Sequence, residues 1–344
     1  MSWRGNEVFF MGAGLLTGGQ GRAVDYARTG PGCAALQQWT ARGDAGRLAE
    51  AFPDADPMTA PLAELAAQLP HLALKTAPAD LEYYGRDWTR RWAPTPLAVA
   101  MPGTVDEVRG IVRWALLHGI ALVPSGGRTG LSGGAVAANG ELVVSFERMN
   151  RVLGFDPVDR TLTVEPGIAL EALQAAAKQH GLIYPVDFAA RGSCSIGGNI
   201  ATNAGGIRVI RYGNTREWIV GLKLVDGRGD LLDLNRGLIK NSSGYDLRHL
   251  VIGSEGTLGL VVEASVRLTD PPPPSNVMLF ALPAMDALMK VFDVCRRGLT
   301  LSAFEFFTDR ALHHVLAHGA QRPFEGDSPY YVVTEFDAAS EAQD

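Results

Sequence analysis

The feature that most constrains this chain is a glycine-rich segment at residues 124–134, Pro-Ser-Gly-Gly-Arg-Thr-Gly-Leu-Ser-Gly-Gly. Apolar runs at 120–123 and 141–146 flank it and predict two buried strands. A loop so rich in glycine can turn sharply and leave consecutive N–H groups unpaired, and such a concave backbone suits a phosphate or a diphosphate. An ordinary glycine-rich surface loop explains this segment, taken alone, equally well.

The segment differs from two common nucleotide-binding loops. A Walker A loop requires Gly-Lys-Ser/Thr after four spacer residues, and residues 124–134 contain no lysine. A Rossmann fingerprint requires Gly-x-Gly-x-x-Gly at the start of a helix, whereas the spacing here is different and a predicted strand follows. Neither type of site is therefore indicated.

Two further segments, 194–206 and 240–262, combine glycines with hydroxyl and carboxamide side chains. Such groups suit a polar, planar ligand that the backbone approaches closely. The alternative for residues 194–206 is a helix capped by Ser195 whose glycines serve packing only. Three such segments in one region favour convergence on a single long ligand with a diphosphate and polar rings.

Composition excludes several other classes of protein. The length of 344 residues indicates two or three domains, and the net charge of −6 argues against a nucleic-acid-binding surface. The three cysteines are far apart, so neither a disulfide framework nor a zinc site is indicated. No apolar run is long enough for a membrane span, and the N-terminus lacks the order of a signal peptide, so we expect a cytoplasmic protein.

The order of predicted elements favours an α+β fold. Up to residue 270, strands and helices mix without a regular βα alternation. They include a helix that begins at the capping box Thr104-Val-Asp-Glu107 and ends at Gly119, and a strand at 182–186. The four prolines at 271–274 predict a stiff linker, and a β-α-β-α-β pattern follows it and looks incomplete. Residues 1–57 show little periodicity, and we expect them to be an extension upstream of a natural start at Met58.

Taken with Tyr84-x-x-Asp87, 184–187, Tyr212-Gly213 and 244–247, the three segments resemble a known FAD-binding domain. It is the PCMH-type domain of the vanillyl-alcohol oxidase/p-cresol methylhydroxylase superfamily. Within it, the chain is most similar to the D-2-hydroxyacid dehydrogenase branch, which includes D-lactate dehydrogenases.

The resemblance implies two α+β subdomains with FAD between them, followed by an incomplete α+β cap domain. It also implies that the chain is a C-terminally truncated fragment. We expect an N-terminal extension at residues 1–57 and a helical segment at 58–92. The FAD-binding domain would follow at 93–271, and a partial substrate cap at 272–344.

The resemblance also implies which residues contact FAD. The first loop would wrap the diphosphate through Pro124, Ser125, Gly126, Gly127, Arg128, Thr129, Gly130, Leu131 and Ser132. The flavin and ribityl region would lie near Pro185 and Asp187. The ribityl chain, diphosphate and isoalloxazine surroundings would contact Ser195, Ile196, Gly197, Gly198, Asn199, Thr202, Asn203 and Gly206. The adenine and ribose end would contact Glu255, Gly256, Gly259 and Val261.

Some relatives attach FAD covalently through a histidine in the first loop. This sequence has no histidine there, so we predict non-covalent FAD. The corresponding stretch contains Arg128, which has two possible interpretations. It offsets the charge of the diphosphate, or it is a solvated loop arginine.

The resemblance implies oxidation of a D-2-hydroxy acid such as D-lactate, glycolate or D-2-hydroxyglutarate to the 2-oxo acid. A base removes the hydroxyl proton, a hydride passes to flavin N5, and a quinone or an electron-transfer protein accepts the electrons. The family's base and metal ligands lie in a C-terminal part that no segment here matches, so the catalytic residues stay unknown. His314 and His318 share a helix face but lack further ligands, and no metal is predicted.

Two alternatives remain at this point. The first is an alcohol or sugar oxidase of the same superfamily. The second is an FAD-binding but catalytically inactive fragment, because the family's C-terminal histidines have no match in this sequence.

Overall fold

The computed structural model describes residues 59–238 and 240–338. Within this part, the chain divides into two compact units. The first unit comprises residues 59–150, 223–233 and 254–262, and the second comprises 151–222, 234–253 and 263–338. The predicted extension at residues 1–57 lies outside the described residues. The four predicted domain ranges stay predictions.

Helices and strands occur together throughout the described residues, which confirms the α+β class. The helices are α1 Thr59–Gln68, α2 Pro78–Tyr84, α3 Val105–His118, α4 Leu170–Gln179, α5 Ile196–Thr202, α6 Val209–Tyr212, α7 Arg248–Val251, α8 Asp286–Gly298 and α9 Asp309–Leu316. The strands are β1 Ala73–Lys75, β2 Ala98–Met101, β3 Leu122–Ser125, β4 Leu142–Ser145, β5 Val152–Asp156, β6 Thr161–Val164, β7 Ile219–Val225, β8 Leu231–Arg236, β9 Leu260–Arg267, β10 Ser275–Leu282, β11 Leu301–Thr308 and β12 Tyr330–Asp337.

The first unit is built on a four-stranded sheet with the order β1-β2-β4-β3. The strands β2, β4 and β3 run parallel, and every residue of β2 and β4 is buried. Parallel strands covered on both faces are continuously apolar, which is why 120–123 and 141–146 read as buried runs in the sequence. The glycine-rich segment therefore starts at the carboxyl end of a buried parallel strand.

The helix α3 covers this sheet and has well-defined ends. Its N-cap Thr104 accepts a hydrogen bond from the Glu107 N–H, as the sequence predicts. Its buried face carries Trp114, whose indole N–H donates to the Pro61 carbonyl. At its C-terminus, Gly119 adopts a left-handed conformation with a φ of 65°.

A further sheet has five strands in the order β5-β6-β9-β7-β8. The strand predicted at residues 182–186 is wrong, because only an isolated bridge between Ile183 and Thr269 forms there. Pro185 has no N–H and cannot continue a ladder of hydrogen bonds. The buried side chains of Tyr184 and Val186 explain the misleading apolar pattern.

The second unit contains an antiparallel sheet with the order β10-β12-β11, accompanied by α8 and α9. This matches the β-α-β-α-β pattern predicted after the proline linker. The guanidinium of Arg208 donates two hydrogen bonds to Glu335 on β12, and Arg211 pairs with Asp337. Burial alone would raise the pKa of Glu335, but the hydrogen bonds from Ser275 and Arg208 hold it below its ordinary value.

Replacing Gly119 by alanine tests the left-handed end of α3. The Gly119→Ala substitution is expected to lower the free energy of unfolding by about 1 kcal/mol, because an L-residue is strained at this φ. The matched control is Gly298→Ala, at the end of α8. An added Cβ has open space at both positions, but only Gly119 has a positive φ. Urea denaturation measures the free energy of unfolding of both variants. Equal losses would contradict the strain expected at the positive φ of Gly119.

Candidate functional site

The glycine-rich loop after β3 presents a row of free backbone donors. Among the described residues, no acceptor is bonded to any backbone N–H of residues 126–132. The row ends at Gly133, whose N–H donates to a carboxylate oxygen of Asp87. Seven consecutive N–H groups without a protein acceptor form the kind of backbone surface that binds an anion.

Arg128 lies in the middle of this loop and has a φ of 56°. This left-handed conformation costs a non-glycine residue on the order of 1–2 kcal/mol. The side chain is only 9% exposed, so the interpretation as a solvated loop arginine is wrong. Its guanidinium pairs with Glu147 at 2.9 Å and donates to the Gly126 carbonyl at 3.0 Å. The charge of Arg128 is therefore already paired within the first unit.

The third glycine-rich segment packs against the first loop within the first unit. Both Glu255 and Gly256 have positive φ values, of 53° and 79°. A Cβ on Gly256 would lie 2.5 Å from Cγ of Pro124, and a Cβ on Gly134 would lie 3.3 Å from Oε2 of Glu255. The structure therefore brings together the residues predicted to hold the diphosphate and those predicted to hold the adenine end.

The last two predicted residues of this group play packing roles in the first unit. A Cβ on Gly259 would lie 2.6 Å from the carbonyl oxygen of Val225, so the two backbones touch. The side chain of Val261 is buried in β9. Gly259 therefore holds the segment against β7 within this unit, and Val261 belongs to its core.

In the second unit, α5 begins as the packing alternative predicts. The Ser195 hydroxyl accepts a hydrogen bond from the Gly198 N–H, and a Cβ on Gly197 would lie 2.7 Å from Cβ of Pro166. The buried side chains of Ile196 and Asn199 point into the unit. Gly197 therefore has a structural reason that is independent of any ligand.

The end of α5 is held by its own side chains. The Thr202 hydroxyl donates to the Gly198 carbonyl, and Asn203 ends the helix with a φ of 48°. The side-chain oxygen of Asn203 accepts a hydrogen bond from the Arg216 N–H. Thr202 and Asn203 thus shape the turn that leads to Gly206.

In the second unit, the backbone of Gly206 approaches that of Asp187 closely. A Cβ on Gly206 would lie 1.8 Å from the carbonyl oxygen of Asp187. One carboxylate oxygen of Asp187 accepts from Arg191 at 3.3 Å, whereas the other is buried without a partner among the described residues. Pro185 lies two residues earlier on the same segment. The structure therefore places the segment 185–187 next to Gly206.

The sequence did not identify the residues whose side chains hold the first loop in place. Glu147 lies 19 residues beyond Arg128, and Asp87 lies 46 residues before Gly133. The available signal was the motif Tyr84-x-x-Asp87, since both of its polar side chains turn out to bind this region. Among the described residues, no group of three or more His, Cys, Asp and Glu side chains could hold a metal ion.

Comparison with protein families identifies two domains in the chain. The family described as "FAD binding domain" matches residues 96–235. The family described as "FAD linked oxidases, C-terminal domain" matches residues 271–344. No helix among the described residues is long and apolar enough to cross a membrane.

Several curated relatives have the name D-2-hydroxyglutarate dehydrogenase. The protein from Xanthomonas citri pv. viticola is 72% identical over 276 residues, which are 80% of this chain and 58% of the relative. The protein from Stutzerimonas stutzeri is 55% identical over 263 residues, which are 76% of this chain and 57% of the relative. The chain thus spans little more than half the length of these relatives.

Solved structures share the fold at low sequence identity. An alkyldihydroxyacetonephosphate synthase superposes with a TM-score of 0.68 at 20% identity, covering 82% of this chain and 57% of its own. The BBE-like 1 protein of Physcomitrella patens superposes with a TM-score of 0.63 at 18% identity, covering 83% and 57%. These likenesses concern the fold alone.

Replacing Gly206 by alanine tests the close approach to Asp187. The Gly206→Ala substitution is expected to lower the free energy of unfolding by about 3 kcal/mol, because a Cβ cannot fit beside a carbonyl oxygen without moving the backbone. The matched control is Gly154→Ala in β5, where an added Cβ meets open space and the effect should stay within about 0.5 kcal/mol. Urea denaturation checks this, and a stability of Gly206→Ala equal to that of the control would refute the packing argument.

Proposed function

The chain belongs to the family of FAD-linked oxidases with a PCMH-type FAD-binding domain, and on this premise we propose that its protein oxidises D-2-hydroxyglutarate to the 2-oxo acid. The observation that carries the substrate is the 72% identity to a D-2-hydroxyglutarate dehydrogenase over 80% of the chain. D-Lactate and the achiral glycolate are the other 2-hydroxy acids in the expected class. The reaction removes two electrons and two protons from the hydroxyl-bearing carbon and its hydroxyl group.

The residues present fit FAD. A diphosphate needs several hydrogen-bond donors in a small volume, and the free N–H groups of residues 126–132 supply them. Bound FAD supplies a two-electron acceptor for the hydrogen of the hydroxyl-bearing carbon.

In this proposal the chain's own residues bind and orient the cofactor. The N–H groups of residues 126–132 hold the diphosphate, and the segment at 255–259 holds the adenine and ribose. The second unit holds Asp187 and Gly206, which the sequence predicts as contacts of the flavin and ribityl region. The buried, unpartnered carboxylate oxygen of Asp187 is an acceptor that suits a ribityl hydroxyl.

The electron acceptor is proposed to be a quinone or an electron-transfer protein. No described residue is assigned as the catalytic base. The cytoplasmic location expected from the sequence stays a prediction.

The link between protein and flavin can be tested by denaturation. FAD is proposed to be non-covalent because the loop at 124–134 contains no histidine. After acid precipitation of the FAD-loaded protein, the visible flavin absorption is expected in the supernatant. Flavin that stays with the pellet would mean a covalent link.

The substrate can be tested by anaerobic reduction of the FAD-loaded protein. D-2-Hydroxyglutarate is expected to bleach the flavin absorption, and L-2-hydroxyglutarate, the matched control, is expected to leave it unchanged. Reduction by D-lactate or glycolate instead would show that the substrate is a different 2-hydroxy acid of the same class. Bound flavin that none of these acids reduces would favour the non-catalytic alternative, and rapid reoxidation by air after reduction would favour an oxidase.

A further inference from the structure

The loop at residues 126–132 must hold an arginine in a conformation that favours glycine. Its third residue, Arg128, has a φ of 56°, whereas a glycine would reach this conformation without strain. Such a conformation persists only where surrounding contacts determine it. The contacts that do so are made by the arginine's own side chain.

The guanidinium of Arg128 folds back over the start of its own loop. It donates to the Gly126 carbonyl at 3.0 Å and to the Ser125 hydroxyl at 3.3 Å. It also lies over the rings of Tyr83 and Tyr84, at 4.5 and 4.7 Å from their centroids. These contacts tie the side chain to the start of its own loop and to the end of α2.

Glu147 connects these contacts to the rest of the first unit. One of its carboxylate oxygens accepts from Arg128 at 2.9 Å, and the other accepts from the Tyr84 hydroxyl at 2.8 Å. Burial, together with the hydrogen bond to Glu147, raises the pKa of Tyr84 to about 12. The hydroxyl therefore stays protonated and remains a donor to Glu147 at neutral pH.

We propose that Arg128, Glu147 and Tyr84 are positioning residues that hold the free N–H groups of residues 126–132 in the geometry that binds the FAD diphosphate. This inference rests on the proposed FAD binding. Arg128 acts through the backbone of its loop and does not supply the positive charge that faces the diphosphate, because Glu147 already pairs with that charge.

The sign of one substitution separates the two roles of Arg128. If Arg128 faced the diphosphate, removing the negative charge of Glu147 would strengthen FAD binding. If Glu147 holds Arg128 and the loop in place, the same substitution weakens binding. We expect Glu147→Gln to raise the Kd for FAD about tenfold, as for the loss of a hydrogen bond between charged groups.

The measurement is quenching of flavin fluorescence on titration of FAD with the full chain. The matched control is Glu82→Gln, which removes the same charge from an exposed ion pair with Arg86 in the same unit. Its Kd is expected to equal that of the unsubstituted protein. An unchanged or lower Kd for Glu147→Gln would overturn the proposal.

Two arginine substitutions provide an independent readout. Arg128→Lys keeps the charge but loses the planar fork, and we expect it to weaken FAD binding as much as Arg128→Gln does. Binding near the unsubstituted level for Arg128→Lys alone would show that the charge is what matters. Because the two side chains act as one unit, Glu147→Gln combined with Arg128→Gln should raise the Kd no more than either alone. Additive effects of the two substitutions on the Kd would show that Arg128 and Glu147 act independently, which contradicts the proposal.

Two controls distinguish a folding defect of a variant from a failure of the proposed FAD binding itself. Circular dichroism without FAD is expected to show the same secondary structure for the variants and the unsubstituted chain. Thermal unfolding of the variants at Glu147 and Arg128 is expected at a somewhat lower temperature, because the buried contacts of Arg128 are lost. If Glu147→Gln does not fold, Tyr84→Phe removes only one hydrogen bond to Glu147 and is expected to raise the Kd about threefold; an unchanged Kd would overturn the proposal. If the unsubstituted chain does not bind FAD, the proposed function itself fails, and this inference falls with it.

Discussion

The structure of the candidate site depends on the cost of leaving backbone N–H groups unpaired. A helix or strand would pair the donors of residues 126–132, so the loop must be prevented from adopting either. The buried parallel strands β3 and β4 fix where the loop starts and ends. The carboxylate of Asp87 and the side chain of Arg128 then hold the loop in place, and the N–H groups of residues 126–132 stay without an acceptor among the described residues.

The glycines of the site serve the fold as well as the proposed ligand. Gly206 lies against the Asp187 carbonyl, and Gly256 lies against the ring of Pro124. At each place a side chain would separate two backbone segments that are distant in the sequence. A glycine in such a segment therefore need not touch the cofactor, and contact with FAD has to be tested residue by residue.

Much of the fold was predictable because its signals are local. The glycine at the end of α3, the Thr104 cap and the apolar runs of β3 and β4 each depend on neighbouring residues. The strand predicted at 182–186 failed because burial and strand pairing are different properties. Side chains there are buried, but Pro185 prevents a ladder and only one bridge forms.

The sequence by itself determined the class of the fold and the glycine-rich segments, and their order was sufficient to indicate FAD. Only the tertiary structure decided what Arg128 does, because its partners Tyr84 and Glu147 are brought to it by the packing of α2 and β4. The contact of Gly206 with Asp187 was likewise invisible in the sequence. Spacing along a chain predicts local conformation, whereas the partner of a buried charge or of a close backbone contact depends on how distant segments fold together.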